Sequence, residues 1–220
     1  MIKGFIFDLD GTLFDTERML VRFWNLAGRA YGYDIRPEHV TAIRSTAPDK
    51  AEKILQSFHG PDFNYRKIRN LRRDLMNKEI NEKGLPEKPG MREILSFARE
   101  KGIRCAVATA TDKVRTSWYL EKAGVRGFFD AIVTTEDVRS PKPAPDIYVF
   151  AAGMIGCQPK EACAFEDSPN GVISANTARC KVFFIPDMTE ADKKTSDYAH
   201  YVCKDLNEAR EIIEKEGLLK

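Results

Sequence analysis

Apolar and polar positions change period three times along the chain. A short run, Lys3-Gly4-Phe5-Ile6-Phe7, stops at Asp8 and predicts a buried strand over residues 3–7. From 17 to 31, Leu20, Phe23, Trp24, Ala27 and Tyr31 recur at helical spacing, and charge-rich helical sequence continues to about residue 83 without a convincing strand. The punctuation LPEKPG (85–90) ends that block. Short apolar runs then predict strands at 103–108, 130–134, 162–165, 181–185 and 200–203. Helices are predicted between and after them at 91–101, 112–123, 145–155, 169–178 and 205–216. Strands alternating with helices of this length imply βαβ units and a parallel sheet. The expected fold is therefore α/β: a three-layer, Rossmann-like parallel-sheet core from residues 1–14 and 89–220, with an all-helical cap domain, 15–88, inserted after the first strand.

Composition narrows the picture. At 220 residues, 43% hydrophobic and 31% charged, the chain is of ordinary globular make-up and long enough for a core plus a smaller insert. Its 35 basic and 33 acidic residues leave a formal charge of +2, which gives no nucleic-acid footprint. The five cysteines (Cys105, Cys157, Cys163, Cys180, Cys203) are scattered and form no C-x-x-C pair, as expected of free thiols in a reducing cytoplasm. Asp8 interrupts the first apolar run too early for a signal peptide, and no segment approaches a membrane span. The expectation is a cytoplasmic protein, monomer or weak dimer, with neither membrane nor nucleic acid as partner.

In a parallel sheet of this kind, groups at the carboxyl ends of the strands converge on one crevice. The first strand ends in Asp8-Leu9-Asp10-Gly11-Thr12, with both aspartates on one side and a glycine for the tight turn. One aspartate alone would read as a helix cap. Two carboxylates together raise each other's proton affinity unless a cation or a bound proton intervenes. The second strand leads through Thr109-Ala110-Thr111 into a helix, which makes either an anion site of amides and hydroxyls or a simple Thr111 cap. After the third strand, Lys142 stands between Pro141 and Pro143, positioned as a fixed positive charge or else an ordinary surface lysine. The fourth ends in Phe165-Glu166-Asp167-Ser168-Pro169, where Ser168 can cap a helix beginning at Pro169 and the two acids face the crevice. His39, His59 and His200 are far apart in the sequence, which argues against zinc.

Oxygen-rich, histidine-free clusters suit magnesium together with a substrate phosphate. Asp8 is then the expected nucleophile, forming an aspartyl phosphate. Asp10 is the expected general acid and then base. Lys142, Thr109 and the Ala110 amide offset charge on the phosphoryl oxygens. The expected metal set is Asp8, Asp167 and the Asp10 backbone carbonyl, with Glu166 toward metal-bound water.

Taken together, FDLDGTLFDT (7–16), Thr109 with Ala110, SPKPAPD (140–146) and FEDSPNG (165–171) resemble the four motifs of the haloacid dehalogenase superfamily, in its phosphatase and phosphomutase branch. The resemblance implies the same roles for Asp8, Asp10, Thr109, Lys142 and Asp167. Dehalogenases lack the second of the paired aspartates, so halide chemistry is not expected. The helical insert is similar to the small cap of the beta-phosphoglucomutase-like subgroup. That mutase has a histidine in its first cap helix where this chain has Leu20, and a K-G-x-x-R loop where this chain reads IRSTAPDK (43–50). The expected activity is magnesium-dependent hydrolysis of a small phosphorylated metabolite, with sugar phosphomutation as the alternative. In the insert, Arg44 of the IRSTAP segment, and Arg72 in RKIRNLRRDLM (66–76), are candidates for gripping an anionic part of the substrate, against the plainer alternative of a solvated basic face. Phe23 and Trp24 read as core or as a substrate wall, and Thr16 as a helix cap.

Overall fold

Strand β1 (Gly4–Phe7) is followed by α1 (Thr16–Arg29), α2 (Pro37–Ile43), α3 (Pro48–His59) and α4 (Tyr65–Lys83). Then come α5 (Met91–Glu100), β2 (Arg104–Thr109), α6 (Lys113–Lys122), β3 (Ala131–Thr134) and α7 (Asp146–Met154). The chain closes with β4 (Ala162–Glu166), α8 (Pro169–Thr177), β5 (Lys181–Phe184), α9 (Lys193–Ser196), β6 (Tyr201–Val202) and α10 (Leu206–Lys215). This is a computed structural model, and it describes residues 1–44, 46, 48–188 and 192–219; Ser45 and Ala47 of the 43–50 segment lie outside them. The elements fall into two units, Met1–Asp15 with Leu85–Lys220, and Thr16–Gly84. Residues 85–88 belong with the first unit because they run beside its opening turn. There the Asp15 amide donates to the Pro86 carbonyl and the Lys88 amide to that of Leu13, both at 2.9 Å.

Among the described residues the first unit has six strands, all parallel, in the order β3-β2-β1-β4-β5-β6. Strand order reverses at β1, so the crevice beyond its carboxyl end is the expected ligand position of an open α/β sheet. Phe7 is in register with Val107 of β2 and Phe165 of β4, which brings Asp8 level with Ala108 and Glu166. Side chains alternate across the sheet. One face carries Phe7 stacked on Phe165 at 4.5 Å and Phe165 on Phe183 at 5.3 Å. The other carries Ile6, Ala106, Ala108, Ala164 and Val182, packed with Ile147, Tyr148 and Ala151 of α7 and Val172 of α8. Alanines on that face let the two helices lie close to the strands at interior density. This is the three-layer, Rossmann-like α/β core.

In the second unit, α1 to α4 surround Trp24, Ala27, Ile35, Val40, Ile43, Leu55, Phe63 and Ile68. Trp24 stacks on Tyr65 at 5.7 Å, and an Arg22–Glu79 ion pair joins α1 to α4. Phe23 and Trp24 are both buried. Two local expectations are corrected, and one contact is new. Helix α1 stops at Arg29, leaving Tyr31 beyond it and 43% exposed. Thr16 is the first helical residue and buried, so the position ahead of the helix falls to Asp15. His39 and His59, distant in sequence, meet with ring centroids 4.8 Å apart because α2 and α3 pack together. Among the described residues no helix is long and apolar enough to cross a membrane. The five cysteines are free, four of them buried and Cys157 half-buried.

Candidate active site

Asp8 leaves β1 with its amide donating to the Phe165 carbonyl at 3.0 Å, so the sheet itself fixes where its carboxylate begins. The Lys142 ammonium meets it there. Nζ donates to Asp8 Oδ1 at 2.5 Å, to the Ala108 carbonyl at 2.9 Å and to Glu166 Oε1 at 2.5 Å. Lys142 is thus no surface lysine; its peptide bond to Pro143 is cis. Carboxylate oxygens of Asp8, Glu166 and Asp167 lie within 4.8 Å of one another, all three residues buried. Burial raises the Asp8 carboxyl well above the usual carboxylate range; Lys142 opposes this, while Glu166 and Asp167 add to it. Burial also works against the Lys142 charge, yet Asp8 and Glu166 outweigh it and hold the ammonium above its ordinary range.

Glu166 is fully buried and bonded at both oxygens. Oε1 accepts from the Tyr148 hydroxyl at 2.6 Å as well as from Lys142, and Oε2 from the Ser168 hydroxyl at 3.1 Å. Burial first, and Glu166 next, keep the Tyr148 phenol well above its usual pKa, so it stays a donor. Ser168 also caps α8 by accepting from the Gly171 amide at 3.1 Å. A Cβ at Gly171 would lie 1.9 Å from the Glu166 carboxyl carbon, so this turn admits the carboxylate only because residue 171 has no side chain. Gly11 makes the same room for Asp167. Its φ is +88°, and a Cβ there would lie 2.2 Å from Asp167 Oδ2.

At the end of β2, Thr109 is buried and its hydroxyl oxygen accepts from the Thr111 amide at 3.0 Å. The Thr111 hydroxyl donates to Asp10 Oδ2 at 2.6 Å. Thr111 is therefore not the cap of α6; Asp112 is, accepting from the Arg115 amide at 2.8 Å. Ala110, between the two threonines, is exposed. The structure so brings Asp8, Lys142, Glu166 and Asp167 into one cluster, and ties Asp10 to the Thr109–Thr111 turn.

Residues 5–185 match the family described as haloacid dehalogenase-like hydrolase. The chain belongs to that family. This hydrolase is 31% identical over 202 residues to YhcW of Bacillus subtilis (strain 168), which bears a provisional phosphatase name; the match covers 91% of this chain and 90% of that protein. It is 29% identical to the phosphorylated carbohydrates phosphatase of Thermotoga maritima, over 80% of this chain and 82% of the other. Among solved structures, CbbY of Rhodobacter sphaeroides in complex with xylulose-1,5-bisphosphate superposes with a TM-score of 0.76 at 26% identity, covering 94% of this chain and 96% of that one. The hydrolase has paired aspartates after β1, a buried lysine, and acidic residues at the end of β4.

The cluster is a buried acidic site of the kind that takes a divalent cation. Its donors are three carboxylates, two of which, Asp8 and Glu166, bond a single ammonium, that of Lys142. In the helical unit, Arg44 pairs with Glu17 at 3.1 Å and the Arg72 guanidinium lies 5.4 Å over the Trp24 ring. Sequence reasoning missed Tyr148. It stands in the same SPKPAPDIY segment as Lys142, and the available signal was an aromatic in the first turn of a helix that closely follows a site residue.

Proposed function

We propose that the chain is a magnesium-dependent phosphatase that hydrolyses a small phosphorylated metabolite through an aspartyl phosphate on Asp8. The observation that carries the reading is Lys142, buried and protonated, held 2.5 Å from both Asp8 and Glu166 with Asp167 alongside. Such a charge has its use where an anion is built and broken repeatedly. The Asp8 carboxylate attacks phosphorus as the bond to the substrate alcohol breaks, and Asp10 gives that alcohol its proton. Asp10 then takes a proton from the incoming water, the aspartyl phosphate opens, and inorganic phosphate leaves. Lys142, the Thr109 hydroxyl and the Ala110 amide hold the equatorial oxygens, whose charge phosphoryl transfer must distribute. Magnesium would be held by Asp8, Asp167 and the Asp10 carbonyl, with Glu166 toward its water, and would supply neutralisation of phosphoryl charge.

Recognition of the rest of the substrate is assigned to Arg44 and Arg72, arginines being suited to carboxylate and phosphate groups. Two relatives bear on substrate class: one is named for phosphorylated carbohydrates, and another is complexed with a sugar bisphosphate. A phosphorylated sugar or sugar alcohol is therefore the first class to try. Hydrolysis is favoured over phosphomutation because Leu20 packs against the apolar cluster of the helical unit and offers no proton-transfer group. Incubation with magnesium and a panel of phosphate esters is expected to release phosphate, and chelation to stop it. Conversion of a sugar 1-phosphate into an isomeric 6-phosphate without phosphate release would establish the mutase instead.

A further inference from the structure

Tyr148 lies in the first turn of α7, fully buried, and serves no step of the mechanism above. Its hydroxyl donates at 2.6 Å to Glu166 Oε1, the same oxygen that accepts from Lys142 at 2.5 Å. Its ring lies beneath the ammonium, with Lys142 Nζ 5.2 Å from the centroid. The phenol therefore bears on the lysine twice, through its face and through the carboxylate they share.

We propose that Tyr148 is a positioning residue, which shares the charge of Glu166 so that Lys142 is left directed at Asp8 and the phosphoryl oxygens. The inference rests on the phosphatase reading and adds to it a residue that never touches the reacting atoms. An ammonium has three protons. In the resting protein Lys142 directs them at Asp8 Oδ1, the Ala108 carbonyl and Glu166 Oε1. An arriving phosphoryl oxygen must draw on that same set. Glu166 is the competitor because it is fully buried and its charge finds no water to spread into. Ser168 occupies its other oxygen. A second donor on Oε1 weakens the hold of Glu166 on Lys142 and stops the carboxylate from turning. A tyrosine meets both needs, because its hydroxyl sits at the end of a rigid ring locked into the core by Ile147, Ala151 and Val172.

The test is Tyr148→Phe, which keeps the ring under Lys142 and deletes the hydroxyl. With p-nitrophenyl phosphate and saturating magnesium, kcat is expected to fall about tenfold, the order of one hydrogen bond to a charged group, with KM moved less than about twofold. Orthovanadate, a mimic of the five-coordinate phosphoryl geometry, is expected to bind about tenfold more weakly by titration calorimetry. A merely structural tyrosine would lower Tm without weakening vanadate. In a Glu166→Gln background, where the charge being shared is gone, the Tyr148→Phe loss is expected to shrink to within about twofold. A wild-type protein that releases no phosphate overturns the phosphatase reading and this inference with it. An active wild type overturns this inference alone if Tyr148→Phe keeps kcat and vanadate affinity, or loses them equally in both backgrounds.

Discussion

Asp8 shows at the scale of one residue how function opposes stability in this protein. Its carboxyl is buried beside two other carboxylates, with one lysine to offset them, and is held well above its ordinary pKa. A buried charge in that setting destabilises the metal-free fold. Asp8→Asn removes the charge and leaves Lys142 its contacts with Glu166 and the Ala108 carbonyl. The variant is expected to melt at or above the wild-type Tm in a chelator. It should also lose turnover by at least about a thousandfold, because no atom is left to attack phosphorus. Thermal melts and a phosphate-release assay on the same sample check both halves; a variant that is inactive because it is unfolded would refute the argument. That Asp8, Lys142, Glu166 and Asp167 would meet was readable in the sequence, because residue type and a place beyond the carboxyl end of a strand are both local features. Tyr148 was not, because an aromatic at a helix start looks the same whether its hydroxyl meets a carboxylate or water. The His39–His59 pairing was hidden for a related reason, since the contact depends on how α2 packs against α3.

Elements place these residues by ending where they do. Strands β1, β2 and β4 end within two residues of one another: Phe7, the last of β1, pairs with Val107 and Phe165, beyond which β2 runs on to Thr109 and β4 to Glu166. The next residues therefore spill into one crevice. The six predicted strands and the longer helices of the sheet unit were readable, because apolar runs bounded by turn residues carry their own limits, whereas the four-residue α9 before β6 is too short to show a period. The insertion was readable from the change of period, whereas its exact edge depends on hydrogen bonds between 13–15 and 86–88 that leave no mark in local pattern. The start of α8 is the tightest of these junctions. Gly171 is pressed against the Glu166 carboxylate, which its neighbours hold at both oxygens. Gly171→Ala forces that carboxylate to move inside a packed interior, and is expected to cost about 1–3 kcal/mol of stability. Because the displaced group anchors Lys142, kcat should fall as well. Chemical denaturation and steady-state kinetics measure the two effects; a variant as stable and active as wild type would mean that the turn yields freely.

For the whole molecule, the buried acidic cluster links folding to pH and would link both to a divalent cation held there. A carboxyl whose pKa is raised on folding binds its proton more tightly in the native chain than in the unfolded one. Its contribution to stability is complete below the unfolded carboxyl pKa of about 4 and is lost as pH rises through the raised native value. Without metal, the Asp8 contribution therefore makes the protein less stable from acid toward neutral pH. A divalent cation needs the same oxygens deprotonated, so its binding strengthens over the range in which the proton leaves. The two effects have opposite signs and act on one site. Magnesium should raise Tm little near pH 5 and progressively more toward pH 8; at a free concentration one hundred times Kd the gain is about 2.7 kcal/mol. Paired melts in chelator and in magnesium across that range measure the difference without any need for a substrate. Asp167→Asn should flatten the dependence by removing one of the three carboxylates. A magnesium increment independent of pH, or one that survives unchanged in that variant, would place the cation somewhere other than the crevice beyond β1 and would remove the argument for why Asp8 is kept buried among its own kind of charge.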